Sequence, residues 1–282
     1  MEITLDCIPC MLKQALESSR MVTNDIDKQE KIMEEALSVL LNFKLYRNSP
    51  DLARKIHQII KNLTGVADSY YEIKRRDLKA ANELYPFLKE FMKKQEGNIY
   101  WALKTAATGN NIDAAIYQTI DVKNCVEREL EKEFSICDLN IFEQKLKTAS
   151  NILIIGDNTG ETVFDKILIE NLPEIPVVYG VRSAPILNDT TEKEAYESGL
   201  GEVSTIISTG CNAPGTILED CNEKFIDIFN EADIIISKGQ GNFEALSERQ
   251  GNLFFLLKAK CPMIANKLNV NLNDYVFKYN GD

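Results

Sequence analysis

The sequence predicts an α/β protein in two parts: a helical bundle over residues 1–138 and a three-layer α/β/α domain with a mostly parallel sheet over residues 139–282. Three observations predict it. Up to about residue 135 apolar residues recur at helical spacing and strand-like runs are nearly absent. From about residue 140 short apolar runs alternate with helical segments, and neither a low-complexity linker nor an internal repeat separates the halves. Such alternation arises when each strand of a parallel sheet is followed by a helix that packs back on one face.

In the first half Ile32, Met33, Ala36, Leu37, Leu40 and Leu41 recur three and four residues apart, as do Ile56, Ile59, Ile60 and Leu63, with charges between them. That is the pattern of helices with one face turned to a core. Breaks are expected at Asn48-Ser49-Pro50-Asp51, Thr64-Gly65, Gly97-Asn98 and Gly109-Asn110-Asn111, where capping and turn residues cluster. These give a bundle of about six helices. In the second half strands are expected at 151–156, 176–181, 203–208, 232–237 and 261–265, with 253–257 readable as strand or helix. The segments 161–171 and 217–230 have helical spacing.

Composition narrows the function. The 282 residues, 44% hydrophobic, suffice for a sizeable core, and 32 basic against 43 acidic residues give a formal charge of -11 without an evident basic stripe. Nucleic acid is a poor partner for such a chain. No apolar run approaches the roughly 18 residues that span a bilayer and no leader pattern is evident, so a cytoplasmic protein without membrane partners is expected. Seven scattered cysteines do not form a disulfide framework, and the single histidine, His57, leaves carboxylates, amides, lysine, backbone amides or metal-bound water to do the chemistry. His57 itself reads as a half-buried helix residue. Cys7-Ile8-Pro9-Cys10 has the spacing of a redox or metal pair, but too few residues precede it for a thioredoxin-type strand and no second pair completes a zinc site.

Three polar clusters each follow an apolar run: Gly156-Asp157-Asn158-Thr159-Gly160-Glu161, Asn188-Asp189-Thr190-Thr191, and Lys238-Gly239-Gln240-Gly241-Asn242-Phe243-Glu244. Ligands of open α/β sheets bind where strands end. Asp157 and Asp189 with an amide carbonyl offer hard oxygen donors with positions left for water and substrate, which suits magnesium or manganese. Lys238 stands just past a strand among glycines that let backbone amides approach an anion, although it precedes the glycines and so makes no Walker motif. Each cluster has a plainer reading: Asp157 or Asn158 as a helix cap, Asp189 as the cap of a helix from Glu192 to Ser198, Lys238 as an exposed lysine in a turn.

Together the clusters resemble the damage-control phosphatase family, related to proteins described as acidic-residue methyltransferases. Asp6-Cys7-Ile8-Pro9-Cys10 looks like the opening of its prokaryotic branch, and Thr64-Gly65-Val66-Ala67-Asp68-Ser69-Tyr70 and Gly109-Asn110-Asn111-Ile112-Asp113 look like further family segments. Departures are small, with Ser69 where proline is frequent and Thr159 where alanine is usual. The resemblance implies a helical domain beside an α/β/α domain, and one divalent ion, manganese, cobalt, nickel or magnesium, held by Asp157, Asn158 and Asp189. It also implies hydrolysis of phosphate monoesters of small metabolites, sugar phosphates or damaged phosphometabolites, with Lys238 and the glycine-rich turn as the phosphate-binding segment.

The expected mechanism has metal-activated water attack phosphorus. Asp157, Asp189 and Lys238 are the expected catalytic residues, and Glu161, Asn188, Lys238, Gly239, Gly241 and Asn242 the expected substrate contacts. A nucleophilic Asp157 forming an aspartyl-phosphate is the variant of this scheme. Two other classes compete. Carboxyl methylation from S-adenosylmethionine lacks a glycine-rich methyl-donor loop after the first strand, and a non-catalytic metal or redox sensor would rest on Cys7 and Cys10. No motif reports an oligomeric state.

Overall fold

The computed structural model describes residues 1–96, 98–111 and 122–281. The expected break at Gly97 and the Ile112-Asp113 part of one family-like segment lie outside the described residues.

Helices α1 (Cys7–Val22), α2 (Ile26–Leu41) and α3 (Ser49–Thr64) open the chain. Their apolar stripes, among them Ile32, Ala36, Leu52 and Ile56, meet in a core of their own. Local chemistry fixes the ends of α3. The Asn48 side chain accepts the amide of Asp51, Pro50 stands in the first turn, and Gly65 closes the helix in the left-handed conformation at φ 74°.

The next helices, α4 (Tyr71–Lys94), α5 (Ile99–Thr108) and α6 (Val122–Leu130), pack elsewhere. Leu84, Leu88, Leu103 and Ala106 share a core with Ile152, Ile154, Ile234 and Phe254 of the sheet. Packing therefore runs across the boundary at residues 138 and 139. Helices α7 (Leu139–Leu146), α8 (Thr162–Glu170) and α9 (Glu192–Glu197) complete that layer.

The sheet holds β1 (Phe134–Cys137), β2 (Ile152–Ile155), β3 (Val177–Val181), β4 (Thr205–Ser208), β5 (Ile234–Lys238), β6 (Leu253–Lys258) and β7 (Tyr275–Tyr279). Their order is β1-β7-β6-β5-β2-β3-β4, and only β6 and β7 pair antiparallel. Ile152 and Ile154 face the layer of α4 and α5, whereas Leu153 and Ile155 face α10 (Glu223–Glu231), α11 (Gly239–Leu246) and α12 (Pro262–Leu268). Burial on both faces removes any polar alternation, so these strands read as unbroken apolar runs.

Several expectations change. The strand expected at 261–265 is the start of α12, with Cys261 as N-cap and Pro262 in its first turn. A two-turn helix burying Ile264, Ala265 and Leu268 is too short for its period to declare itself. The ambiguous 253–257 is strand β6. Strands β1 and β7 were not foreseen: β1 is a four-residue strand at the sheet edge, and β7 reaches the sheet only by pairing between β1 and β6. The segment 217–230 begins as a 3-10 turn at Leu218–Asp220 before α10. Thr191, not Asp189, caps α9, in a capping box with Glu194.

The chain moves from β2 outward through β3 to β4, then returns to the other side of β2 as β5. The crevice of an open α/β sheet forms at such a reversal, above the carboxyl ends of the two diverging strands.

Candidate active site

The three polar clusters follow β2, β3 and β5, which are adjacent: Ile155 stands beside Gly180 of β3 on one side and Ser237 of β5 on the other. Backbone bonds join the first two clusters. Thr159 N donates to Asn188 O and Thr190 N to Asp157 O, each at 2.8 Å, and Asn158 and Asp189 form an isolated antiparallel bridge.

Asp157, Asn158, Asn188 and Asp189 line one side of a cavity of about 250 Å³. Gln240 and Gly241 line it from the start of α11, and Cys7 and Cys10 from the first turn of α1. The cysteine pair thus opens a helix, and Cys261 joins it on the cavity wall. Burial, then the neighbouring Cys261 and Cys7, raise the pKa of Cys10.

Lys238 does not line this cavity. Its fully buried ammonium donates to Ala106 O at 3.1 Å, Glu161 Oε2 at 2.8 Å and Asp165 Oδ1 at 2.5 Å, which uses all three protons. Burial alone would lower its pKa, but the charges of Asp165 and Glu161 raise it instead. Lys238 therefore anchors Glu161, which receives both Asn158 Nδ2 at 3.0 Å and Asn110 Nδ2. Glu161 is itself buried outside the lining.

Asn242 is likewise a clamp. Its Oδ1 accepts from Arg182 Nη2 at 3.0 Å and Thr216 N at 2.8 Å, and its Nδ2 donates to Gly156 O at 3.0 Å and Lys238 O at 2.7 Å. Arg182, 1% exposed, donates through Nε to Asp189 Oδ2 at 2.7 Å and lies 3.9 Å from Asp157 Oδ1. One guanidinium thus orients both carboxylates.

The expected glycine-rich turn is the beginning of α11. Gly239 has φ 75°, and a Cβ there would stand 1.9 Å from Asp157 Oδ2. At Gly241 a Cβ would stand 2.0 Å from Pro214 O. Both glycines let the helix end approach its neighbours, which leaves the first-turn amides of α11, unpaired within the helix, at the cavity.

The carboxylates Asp157, Glu161, Asp165 and Asp189 are gathered around two cationic side chains, Lys238 and Arg182. Burial first, then the charges of Asp189 and Glu161, hold Asp157 well above its usual pKa, and burial raises Asp189 despite Arg182. Such a cluster has an excess of negative charge that a divalent cation would balance. Gln14 and Gln240 both line the cavity and bury Oε1 atoms that have no hydrogen-bond partner among the described residues. Among the described residues no three His, Cys, Asp or Glu side chains form a ready metal cage. The donors present are two carboxylates and the Asn158 amide, a hard oxygen set that fits a divalent ion keeping several waters.

Sequence reading missed Asp165 and gave no individual role to Asn110 or Glu244, although both stand in segments it singled out. Asn110 precedes the residues outside the description, and its Nδ2 lies 3.4 Å from Asp157 Oδ2. Asp165 stands one turn after Glu161 on the same helical face, a spacing that offered the signal. Glu244 lines the cavity, and burial raises its pKa to about 7.

Comparison with known proteins agrees with this architecture. The model of the damage-control phosphatase ARMT1-like domain matches residues 3–276. A damage-control phosphatase of Pyrococcus horikoshii is 34% identical over 276 residues, covering 96% of this chain and 95% of that protein. Another, from Archaeoglobus fulgidus, is 27% identical over 289 residues and covers 99% of each. The crystal structure of a DUF89 family protein from Pyrococcus horikoshii superposes with a TM-score of 0.91 at 32% identity over 99% of both chains. No described helix is long and apolar enough to cross a membrane. The chain therefore belongs to the damage-control phosphatase ARMT1-like family.

Proposed function

We propose that this protein is a divalent-metal-dependent phosphatase that hydrolyses phosphate monoesters of small metabolites, sugar phosphates or damaged phosphometabolites, at the crevice between β2 and β5. The observation that carries it is the pairing of a carboxylate-rich wall with a helix start in one cavity: Asp157 and Asp189 face the same space as Gln240 and Gly241. Membership in a phosphatase family supports the same reading.

Asp157, Asp189 and the Asn158 carbonyl would hold the ion. A bound manganese, cobalt, nickel or magnesium ion supplies Lewis-acid polarisation of the phosphate and a water of lowered pKa. The chain's own residues do the rest. Arg182 fixes Asp189 through its 2.7 Å bond, and Lys238 and Asn110 fix Glu161, so the acids keep one geometry when a phosphate arrives. The amides at the start of α11 receive phosphate oxygens and stabilise the charge that spreads over them in the transition state. Lys238 contributes field and position through Glu161 in place of the direct phosphate contact expected from sequence. Asn242 and Gly239 act by holding α11 against the β2 loop, and Asn188 borders the space from the second cluster.

The test is phosphate release from an aryl phosphate and a panel of sugar phosphates, using metal-stripped protein with single cations restored. Metal-dependent turnover that disappears in Asp157→Ala is expected. A folded protein that releases no phosphate with any cation, yet binds S-adenosylmethionine without metal, would overturn this reading in favour of methyl transfer.

A further inference from the structure

A larger cavity, about 490 Å³, adjoins the acid-lined one. Leu187 borders both, and so does α3: Pro50 and Ala53 face the acids, while Lys55, Gln58 and Lys61 face the second cavity. The shared wall is rigidly set. Leu187 adopts the left-handed region at φ 47°, a conformation costly for a branched side chain, and the Asp189 amide donating to Ile186 O at 3.1 Å closes the turn around it.

Charge distinguishes the two cavities. In the larger one the carboxylates are already neutralised, Asp51 by Arg47 at 3.2 Å and by Arg54, and Asp68 by Lys74 at 2.6 Å. Lys55 and Lys61 are exposed and have no ion-pair partner among the described residues. His57 adds hydrogen-bonding capacity without charge: burial lowers its pKa to about 4, and its Nε2 has no partner among the described residues. Asn62 and Asn212 supply further amide groups. A chain of net charge -11 thus places two cations without ion-pair partners among the described residues on the cavity that shares Leu187 with the acid-lined one.

We propose that this cavity is the specificity pocket for the alcohol half of the phosphate ester, and that it selects monoesters whose far end carries a second anionic group, with Lys55 and Lys61 as the receptors. Gln58, Asn62 and Asn212 receive hydroxyls along the carbon chain. The proposal rests on the phosphatase reading of the neighbouring cavity, which locates the phosphate end. Along the axis of α3, at 1.5 Å per residue, Lys55 and Lys61 stand about 3 and 12 Å beyond Ala53.

A matched pair of probes tests it: 6-phosphogluconate and sorbitol 6-phosphate share the phosphate and six-carbon chain and differ in a carboxylate against a hydroxymethyl group. Titration calorimetry on metal-stripped full-length protein avoids turnover, and phosphate release with manganese restored provides kcat/KM. The expected result is at least about tenfold tighter binding of 6-phosphogluconate, weakening as salt rises. That preference should fall to near unity in Lys55→Gln/Lys61→Gln and survive in Lys55→Arg/Lys61→Arg, which separates charge from fold. Equal binding of the two probes by the wild-type chain, or a preference unchanged in the glutamine variant, overturns the proposal. The phosphatase reading fails separately: a charge preference without phosphate release from any ester keeps the anion pocket and removes the hydrolysis.

Discussion

Two regions of the sheet each bury a lysine completely, with opposite results. At the end of β5, Lys238 meets two carboxylates and a carbonyl and stays charged, its pKa raised. Beside β1 and β7, Lys104 has no hydrogen-bond acceptor for Nζ among the described residues; it lies over the Tyr275 ring at 3.1 Å and near Phe134 at 5.4 Å. Burial brings its pKa down to about 7, with Glu129 opposing. Equal burial therefore does not set the charge state. Counter-charges do, and at Lys238 they are the same carboxylates that build the candidate active site.

The compensated lysine should be the costlier to remove. Lys238→Met leaves Glu161 and Asp165 buried without their cation, and we expect a loss of about 3 to 5 kcal/mol in urea unfolding together with phosphate release. Neutralising the acids as well, in Lys238→Met with Glu161→Gln and Asp165→Asn, should recover much of the stability and none of the activity. If the single variant unfolds like the wild-type protein, the anchoring role assigned to Lys238 is wrong.

Lys104→Met should move the other way, because a nearly isosteric apolar chain replaces a cation poorly served by its surroundings. The sign follows from linkage. A lysine with lowered folded pKa binds fewer protons folded than unfolded between pH 7 and its ordinary value near 10.5, so stability rises with pH across that window and the penalty is complete below it. A gain of about 2 to 3 kcal/mol at pH 6, shrinking toward pH 10, is expected from thermal unfolding at several pH values. An unchanged slope would show that Lys104 is solvated in solution.

Asp157→Asn removes one negative charge from the crowded acids. Stability should rise by about 1 kcal/mol while phosphate release falls at least a thousandfold, the usual opposition between a charged site and a stable one. Destabilisation by Asp157→Asn would mean that Arg182 compensates Asp157 more fully than the 3.9 Å separation suggests. The smallest effect is expected at His57. Its lowered pKa makes stability rise with pH between about 4 and 6.5, and His57→Gln should flatten that part of the curve by about 1 kcal/mol. Retention of the slope in the variant would assign it to other groups.

Legibility along the chain followed the same contrast between local and distant partners. Caps such as Asn48 and Gly65 act on neighbours three or four residues away, so the limits of α3 could be read directly. Buried strands β2, β3 and β5 announced themselves as apolar runs. The short edge strand β1 and two-turn α12 did not, because four to seven residues carry too little period to separate strand from helix. At the candidate site, Asp157, Asn158 and Asp189 were visible as polar residues placed after strands, whereas the contacts of Lys238 were not. Its partners Glu161 and Asp165 lie 77 and 73 residues away.

Residue type and short-range period were enough to specify the α/β class and the make-up of the candidate site, an acid-rich and amide-rich set at the ends of apolar strands. Which groups touch depended on how the chain folds back on itself. The strand order brought β5 against β2, turned Lys238 inward as an anchor, exposed the start of α11 to Asp157, and placed a lysine-lined cavity beside the acids. The physical reason is that electrostatic partners are chosen by distance in space, and in a parallel sheet each neighbouring strand is separated by a whole helical crossover of sequence.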